Sequence, residues 1–193
     1  MPEDRTTTLK PDGIEARWPN RTVALVGLMG AGKSTVGRRL ADAMGRKFFD
    51  SDDEIEKAAG QSISDIFAQH GEAEFRRGEQ KVLERLLLGP PHVLATGGGA
   101  YLNADTRALM RQHAVTVWLN ADLETLWKRV SKRGHRPLLK TDNPKGVLSE
   151  LFEARQPIYE LADITIHSAD GPHQDTVKEI LAALSDWSKQ NHE

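Results

Sequence analysis

The sequence contains no cysteine, which excludes disulfides and cysteine-ligated zinc or iron–sulfur centres and fits a reducing compartment. Long apolar runs are missing too, since none approaches the ~20 residues that span a bilayer. The segment Met1 to Asn20 holds no apolar core of the kind a secretory signal requires; it reads as a flexible extension ahead of the first strand. A dominant charge sign is also lacking. Lys and Arg total 26 against 28 Asp and Glu, a formal net charge of −2, so nothing draws the whole molecule towards nucleic acid or an acidic membrane. No long-period repeat and no low-complexity linker divides the chain. What is present is 193 residues, 38% hydrophobic and 28% charged, the balance of one soluble globular domain. Function must then come from a site.

Residues Gly27 to Thr35 read GLMGAGKST and match the phosphate-binding pattern G-x-x-x-x-G-K-[ST] without a gap. An apolar, β-branched run, Thr22 to Val26, leads in, and a helix-compatible run, Val36 to Met44, leads out. Strand, loop and helix are the context the motif requires. Gly27 and Gly32 let the backbone wrap closely round an anion so that successive N–H groups point at phosphate oxygens. The following helix adds the positive end of its dipole. Lys33 is placed to reach the β- and γ-phosphates, and the Ser34 hydroxyl to ligate Mg²⁺.

Five candidate strands, Thr22 to Val26, Lys47 to Asp50, His92 to Thr96, Ala114 to Asn120 and Asp163 to His167, alternate with helical segments. That alternation predicts a parallel sheet covered on both faces. The second strand delivers Asp50-Ser51-Asp52-Asp53 at its carboxyl end, where ligands sit in such sheets. Asp50 and Asp52, one residue apart on an extended segment, would point the same way; Asp53 is expected to cap a helix from Glu54 to Ala59. A short helical stretch stopped near Gly71 precedes a longer helix from Glu72 to Leu88, in which Phe75, Val82, Leu83, Leu86 and Leu87 follow helical spacing. Phe67 fits the core as well. Arg76 has Glu79 as a helical partner, and on residue statistics alone it is a solvated salt-bridge residue.

The third strand runs into Gly97-Gly98-Gly99, which permits close backbone approach to a ligand or another loop. Helices over Ala104 to Arg111 and Leu123 to Val130, the latter capped by Asp122, flank the fourth strand. The basic segment Ser131 to Gly146 is interrupted by Pro and Gly and is long for a compact domain, which suits a lid. A helix from Ser149 to Arg155 leads to Gln156-Pro157-Ile158-Tyr159. The last helix, Gln174 to Trp187, is expected to bury Val177, Ile180, Leu181, Leu184 and Trp187.

Four separated stretches together resemble the shikimate kinases, a family with the nucleoside monophosphate kinase fold. They are Gly27 to Thr35; Phe49-Asp50-Ser51-Asp52; Phe75-Arg76-Arg77-Gly78-Glu79 with Ala95 to Ala100; and Arg136-Pro137-Leu138-Leu139 followed by Arg155-Gln156-Pro157-Ile158-Tyr159. The match spans Val23 to about His167 in the right order. The resemblance implies a three-layer α/β P-loop kinase fold with a five-stranded parallel sheet, helices on both faces and a mobile lid at about residues 131–147, within a single domain of residues 21–193.

It further implies transfer of the ATP γ-phosphoryl group to the 3-hydroxyl of shikimate, a step towards chorismate and the aromatic amino acids. ATP would be the donor and Mg²⁺ the cofactor, in a cytoplasmic monomer without nucleic-acid or membrane partners. By position, Asp52, Arg76, Gly97, Gly98, Gly99 and Arg155 look like the shikimate-binding residues, with Phe67 and Phe75 walling the pocket. Gly30, Ala31, Gly32, Lys33, Ser34, Thr35, Arg129 and Arg136 look like the ATP site, with Ser34 and Asp50 around the metal. Lys33, Asp52 and Arg136 would carry the catalysis, Asp52 orienting the acceptor hydroxyl. A gluconate-type kinase of the same fold is the alternative. A nucleotide-dependent switch is disfavoured by the absence of the guanine-reading Asn-Lys-x-Asp motif.

Overall fold

The computed structural model describes residues 18–132, 141–168 and 171–191. Strands β1 (Thr22–Val26), β2 (Phe48–Asp50), β3 (Val93–Ala95), β4 (Ala114–Asn120) and β5 (Ile164–His167) form a parallel five-stranded sheet in the order β2-β3-β1-β4-β5. The expected strand at residues 22–26 is fully buried, every position of Thr-Val-Ala-Leu-Val inside, because a central parallel strand is covered on both faces and carries no polar alternation.

Eight residue-defined helical segments surround the sheet among the described residues: α1 (Lys33–Met44), α2 (Ser51–Ala59), α3 (Ile63–Leu87), a 3₁₀ turn (Ala100–Leu102), α4 (Ala104–His113), α5 (Leu123–Val130), α6 (Pro144–Tyr159) and α7 (His173–Asn191). From β1 the chain steps outward to β2 through α1, then returns through α2 and α3 to β3 and crosses to β4 through α4. With right-handed crossovers, a reversal of direction puts the connecting helices on opposite faces. Accordingly α1 packs with α7, and α4 packs with α3 and β4. The core between these layers is led by Leu25, Leu40, Leu83, Leu94, Met110, Leu119, Leu148, Ile180 and Leu184.

Strands β1 and β3 pair in a register that sets Val23 opposite Val93 and Leu25 opposite Ala95. The segments leaving their carboxyl ends, at Gly27 and Gly97, therefore emerge side by side. This is also where the strand order reverses, the position at which an open α/β sheet leaves a crevice for ligands.

Several boundaries differ from expectation. The flexible extension was expected to run to Asn20, but Trp18 packs against the core and Arg46 donates to the carbonyls of Pro19 and Arg21 at 2.7 and 2.8 Å. The chain is thus tied down from Trp18, three residues before the expected start of the domain at residue 21; residues 1–17 lie outside the described residues. Helix α6 starts at Pro144, capped by the Asn143 side chain on the Gly146 N–H, so residues 144–147 of the expected lid are helical. It also continues through Pro157 to Tyr159. The break at Gly71 is where the sequence placed it, with φ of 78° and ψ of 175°. In α7, Val177, Ile180 and Leu184 are buried as expected, whereas Leu181 and Trp187 only pack against the core's edge. Phe67 is 38% exposed, so its assignment to the core does not hold; it caps the Phe75 ring from outside at 4.6 Å.

Candidate active site

The loop from Gly27 to Gly32 joins β1 to α1 and takes positive φ at Gly27, Gly30 and Gly32. At Gly30 a side chain would also collide, its Cβ lying 2.7 Å from Val130 Cγ2. Gly32 is the N-cap of α1 and offers no side-chain bond to the first turn, leaving backbone donors there for an anion. Lys33 is buried and its ammonium curls back over the loop, donating to the carbonyls of Gly27 at 2.7 Å and Leu28 at 3.0 Å. The Ser34 hydroxyl donates to Asp50 Oδ2 at 2.6 Å. These two oxygens are hard donors suited to Mg²⁺, which keeps several ligands from water and phosphate. Among the described residues no cluster of three or more His, Cys, Asp or Glu could hold a metal unaided.

Asp50, not Asp53, caps α2: its Oδ1 accepts from the Asp52 N–H at 3.1 Å. The helix begins at Ser51 because that residue is buried and its hydroxyl accepts from the Gly97 N–H at 2.8 Å, which pulls the first turn against the glycine loop. Asp52 is therefore helical, and the expectation that Asp50 and Asp52 share an extended segment fails. Both nevertheless line one cleft of about 300 Å³ with Lys33, Ser34, Gly97 and Gly98. Asp53 is left near the surface, 3.9 Å from Arg38.

Beside the phosphate loop the three glycines draw charged groups close. A Cβ on Gly97 would stand 2.7 Å from Asp52 Oδ1 and 3.2 Å from Glu79 Oε1, and one on Gly99 2.7 Å from Arg76 Nη2. Arg76 is not a solvated surface arginine. Its Nη1 donates to Glu79 at 2.7 Å, its guanidinium lies over the Phe75 ring at 5.1 Å, and a second, longer contact reaches Glu72 at 3.3 Å. Glu79 is 4% exposed; burial pushes its carboxyl above the ordinary value, with Arg76 pulling the other way. Sequence spacing marked it only as a helical partner, and its burial beside Gly97 is visible only in the fold. Gly98 is held from α6: its carbonyl accepts from Arg155 Nη1 at 3.2 Å and from the Tyr159 hydroxyl at 2.5 Å. A Cβ on Gly98 would come 3.5 Å from the Met29 nitrogen, so the phosphate loop and the glycine loop face each other with room for no more than a methyl group between them.

At the far end of the cleft, Arg129 Nη1 lies within 3.4 to 3.5 Å of the Gly30 and Ala31 carbonyls and of Ser168 Oγ. Lys132 and His173 complete this wall with Gly32 and Thr35, two contributors no motif pointed to. Burial, then the charges of Arg129 and Arg39, depress the His173 pKa. Arg136 lies outside the described residues, in the stretch 133–140.

The arrangement is an anion cradle with a buried lysine and, along the same cleft, an acid, an arginine–glutamate pair and glycine amides. The family model described as shikimate kinase matches residues 29–185. The shikimate kinase of Caulobacter vibrioides is 56% identical over 164 residues, 85% of this chain and 82% of that protein. That of Rhizobium meliloti is 51% identical over 169 residues, 88% of each. Among solved structures, the shikimate kinase of Acinetobacter baumannii in complex with shikimate superposes with a TM-score of 0.83 at 41% identity, covering 89% of this chain and 96% of that one.

Proposed function

The chain belongs to the shikimate kinase family, and from that membership we infer that it transfers the γ-phosphoryl group of ATP to the 3-hydroxyl of shikimate. The observation that carries the reading is the single cleft lined by Lys33, Ser34 and Asp50 from one side and Asp52, Gly97 and Gly98 from the other, which supports a donor and an acceptor held within one transfer distance. In this reading the carboxylate of shikimate meets Arg76 and Arg155, whose planar guanidinium groups suit bidentate recognition. Its ring hydroxyls meet Asp52 and the Gly97 to Gly99 backbone. Glu79 holds the Arg76 fork in place through the 2.7 Å bond.

ATP lies along the cradle with its phosphates on the Gly30–Thr35 backbone and its nucleoside towards Arg129. Lys33 leaves the loop carbonyls for the phosphates, and Arg136, outside the described residues, is the further cation that the family resemblance assigns to them. Ser34 and Asp50 would hold Mg²⁺, which when bound offsets phosphate charge. Phosphoryl transfer needs little covalent help from protein, so positioning and neutralisation supply most of the catalysis. Asp52 orients the acceptor hydroxyl and takes its proton. In this reading the protein acts as a cytoplasmic monomer.

The deciding assay is ADP release from ATP with shikimate, gluconate or no acceptor. Shikimate is expected to stimulate turnover by orders of magnitude and gluconate not at all; a shikimate rate equal to the acceptor-free rate would overturn the reading.

A further inference from the structure

Within the glycine loop the backbone groups are accounted for unevenly. The Gly97 N–H donates to Ser51, the Gly97 carbonyl accepts from the Ala100 N–H and the Gly99 carbonyl from the Leu102 N–H. Among the described residues the N–H groups of Gly98 and Gly99 have no recorded acceptor. Their direction matters, and it is set through the Gly98 carbonyl. A peptide unit is planar and trans, so its C=O and the next N–H point opposite ways. A carbonyl drawn towards α6 by Tyr159 and Arg155 therefore turns the Gly99 N–H away from α6.

Two donors serve that one carbonyl, and they differ in kind. Arg155 is partly exposed, long and, in the shikimate reading, needed by the acceptor carboxylate. Tyr159 is 2% exposed and fixed by packing, its ring stacked with Tyr101 at 6.4 Å and Trp118 at 6.1 Å. When Arg155 swings to a carboxylate, the carbonyl it leaves would be orphaned in a closed site, at a cost comparable to a lost hydrogen bond, were Tyr159 absent.

We propose that Tyr159 is a positioning residue for the acceptor: its hydroxyl keeps the Gly98 carbonyl satisfied while Arg155 is recruited to the substrate, and so holds the Gly99 N–H in its binding direction. The inference rests on the shikimate reading above. It makes α6 supply two coordinated functions, a mobile cation and a fixed donor, spaced by one helical turn.

The experiment compares wild type, Tyr159→Phe and Tyr101→Phe in steady-state kinetics against shikimate and ATP, with thermal unfolding of each free protein. Tyr159→Phe keeps the ring stack and removes only the hydroxyl. Its shikimate KM is expected to rise about tenfold, the size of one orphaned buried polar group, with the ATP KM within about twofold. Because Arg155 still serves the carbonyl in the free protein, the unfolding temperature should barely move. Tyr101→Phe, which removes a hydroxyl from the same stack without touching Gly98, should leave both KM values alone. An unchanged shikimate KM in Tyr159→Phe, or a parallel rise of both KM values, overturns the inference. If that variant does not fold, amide NMR of the wild type decides: shikimate must shift the Gly99 amide proton, and an unmoved resonance overturns the proposal. A wild type without shikimate-dependent turnover would sink the function itself, whereas normal turnover with an indifferent variant sinks only the role of Tyr159.

Discussion

Individual side chains at this site carry roles their neighbours in sequence could not reveal. Asp52 was legible as a cleft residue, yet for a partly mistaken reason. It reaches the cleft from the first turn of a helix, drawn there by the buried Ser51 hydroxyl on Gly97, and not by alternation along a strand. Asp52→Asn is expected to lower turnover by about two orders of magnitude, the range of a general base, with shikimate KM within a few-fold of wild type; a loss of only a few-fold in kcat would reduce Asp52 to an orienting group. Glu79 was hidden because i, i+3 acid–arginine pairs are common on solvated helices, and only burial distinguishes this one. Glu79→Gln keeps the shape but weakens the hold on Arg76, so shikimate KM should rise about fivefold or more while ATP KM stays put, as measured by the same coupled assay. The phosphate-loop residues needed no such help, since a motif fixed by backbone chemistry is readable wherever it occurs.

Secondary elements were placed well by period and punctuation and less well at their ends. The Gly71 break and the Asp122 cap on α5 were visible because a positive-φ glycine and a capping acid are local signals. The start of α2 was not, because a tertiary bond decides it, Gly97 to Ser51; the start of α6 carries a local signal that went unread, Asn143 capping the Gly146 N–H with Pro144 in the first turn. The packing of α5 on the phosphate loop is equally non-local. Val130 Cγ2 would stand 2.7 Å from a Cβ on Gly30, whose φ is +84°. Gly30→Ala therefore combines a left-handed backbone, at ~1–2 kcal/mol, with a collision against α5. We expect a fall of several degrees in unfolding temperature and a higher ATP KM, read by calorimetry and by ADP titration; full stability together with full ATP affinity would show that α5 yields.

Across the whole molecule, stability should depend on a histidine far from the cleft. His92 opens the third strand at the opposite end of the sheet, its Nδ1 2.9 Å from the Pro90 carbonyl and its Nε2 buried without a partner among the described residues. Burial, and secondarily Arg46, depress its pKa despite the Pro90 contact. A depressed folded-state pKa means the unfolded chain binds the proton more tightly, so this contribution is complete above the ordinary value near 6.5 and is lost as the pH falls through the folded pKa. Glu79, with a raised pKa, works in the opposite sense, its share being lost as the pH rises through its folded value. Comparison with a variant separates the two: between pH 7.5 and 5.5 the unfolding temperature should drop more for wild type than for His92→Gln, and equal drops would exclude His92.

The pairing of Leu25 with Ala95 has a consequence for how this enzyme tolerates change. Each strand runs two residues past that pair into its own glycine, one opening the phosphate loop and the other the loop proposed to hold the acceptor. The gap that the migrating phosphoryl group must cross is thus inherited from a ladder of main-chain hydrogen bonds. Side chains can be exchanged around it, retuning affinity on either bank, without moving the banks. A slip of a single residue between β1 and β3 would displace one by about 3.3 Å, so the reaction coordinate is measured out by the sheet before any catalytic side chain is in place.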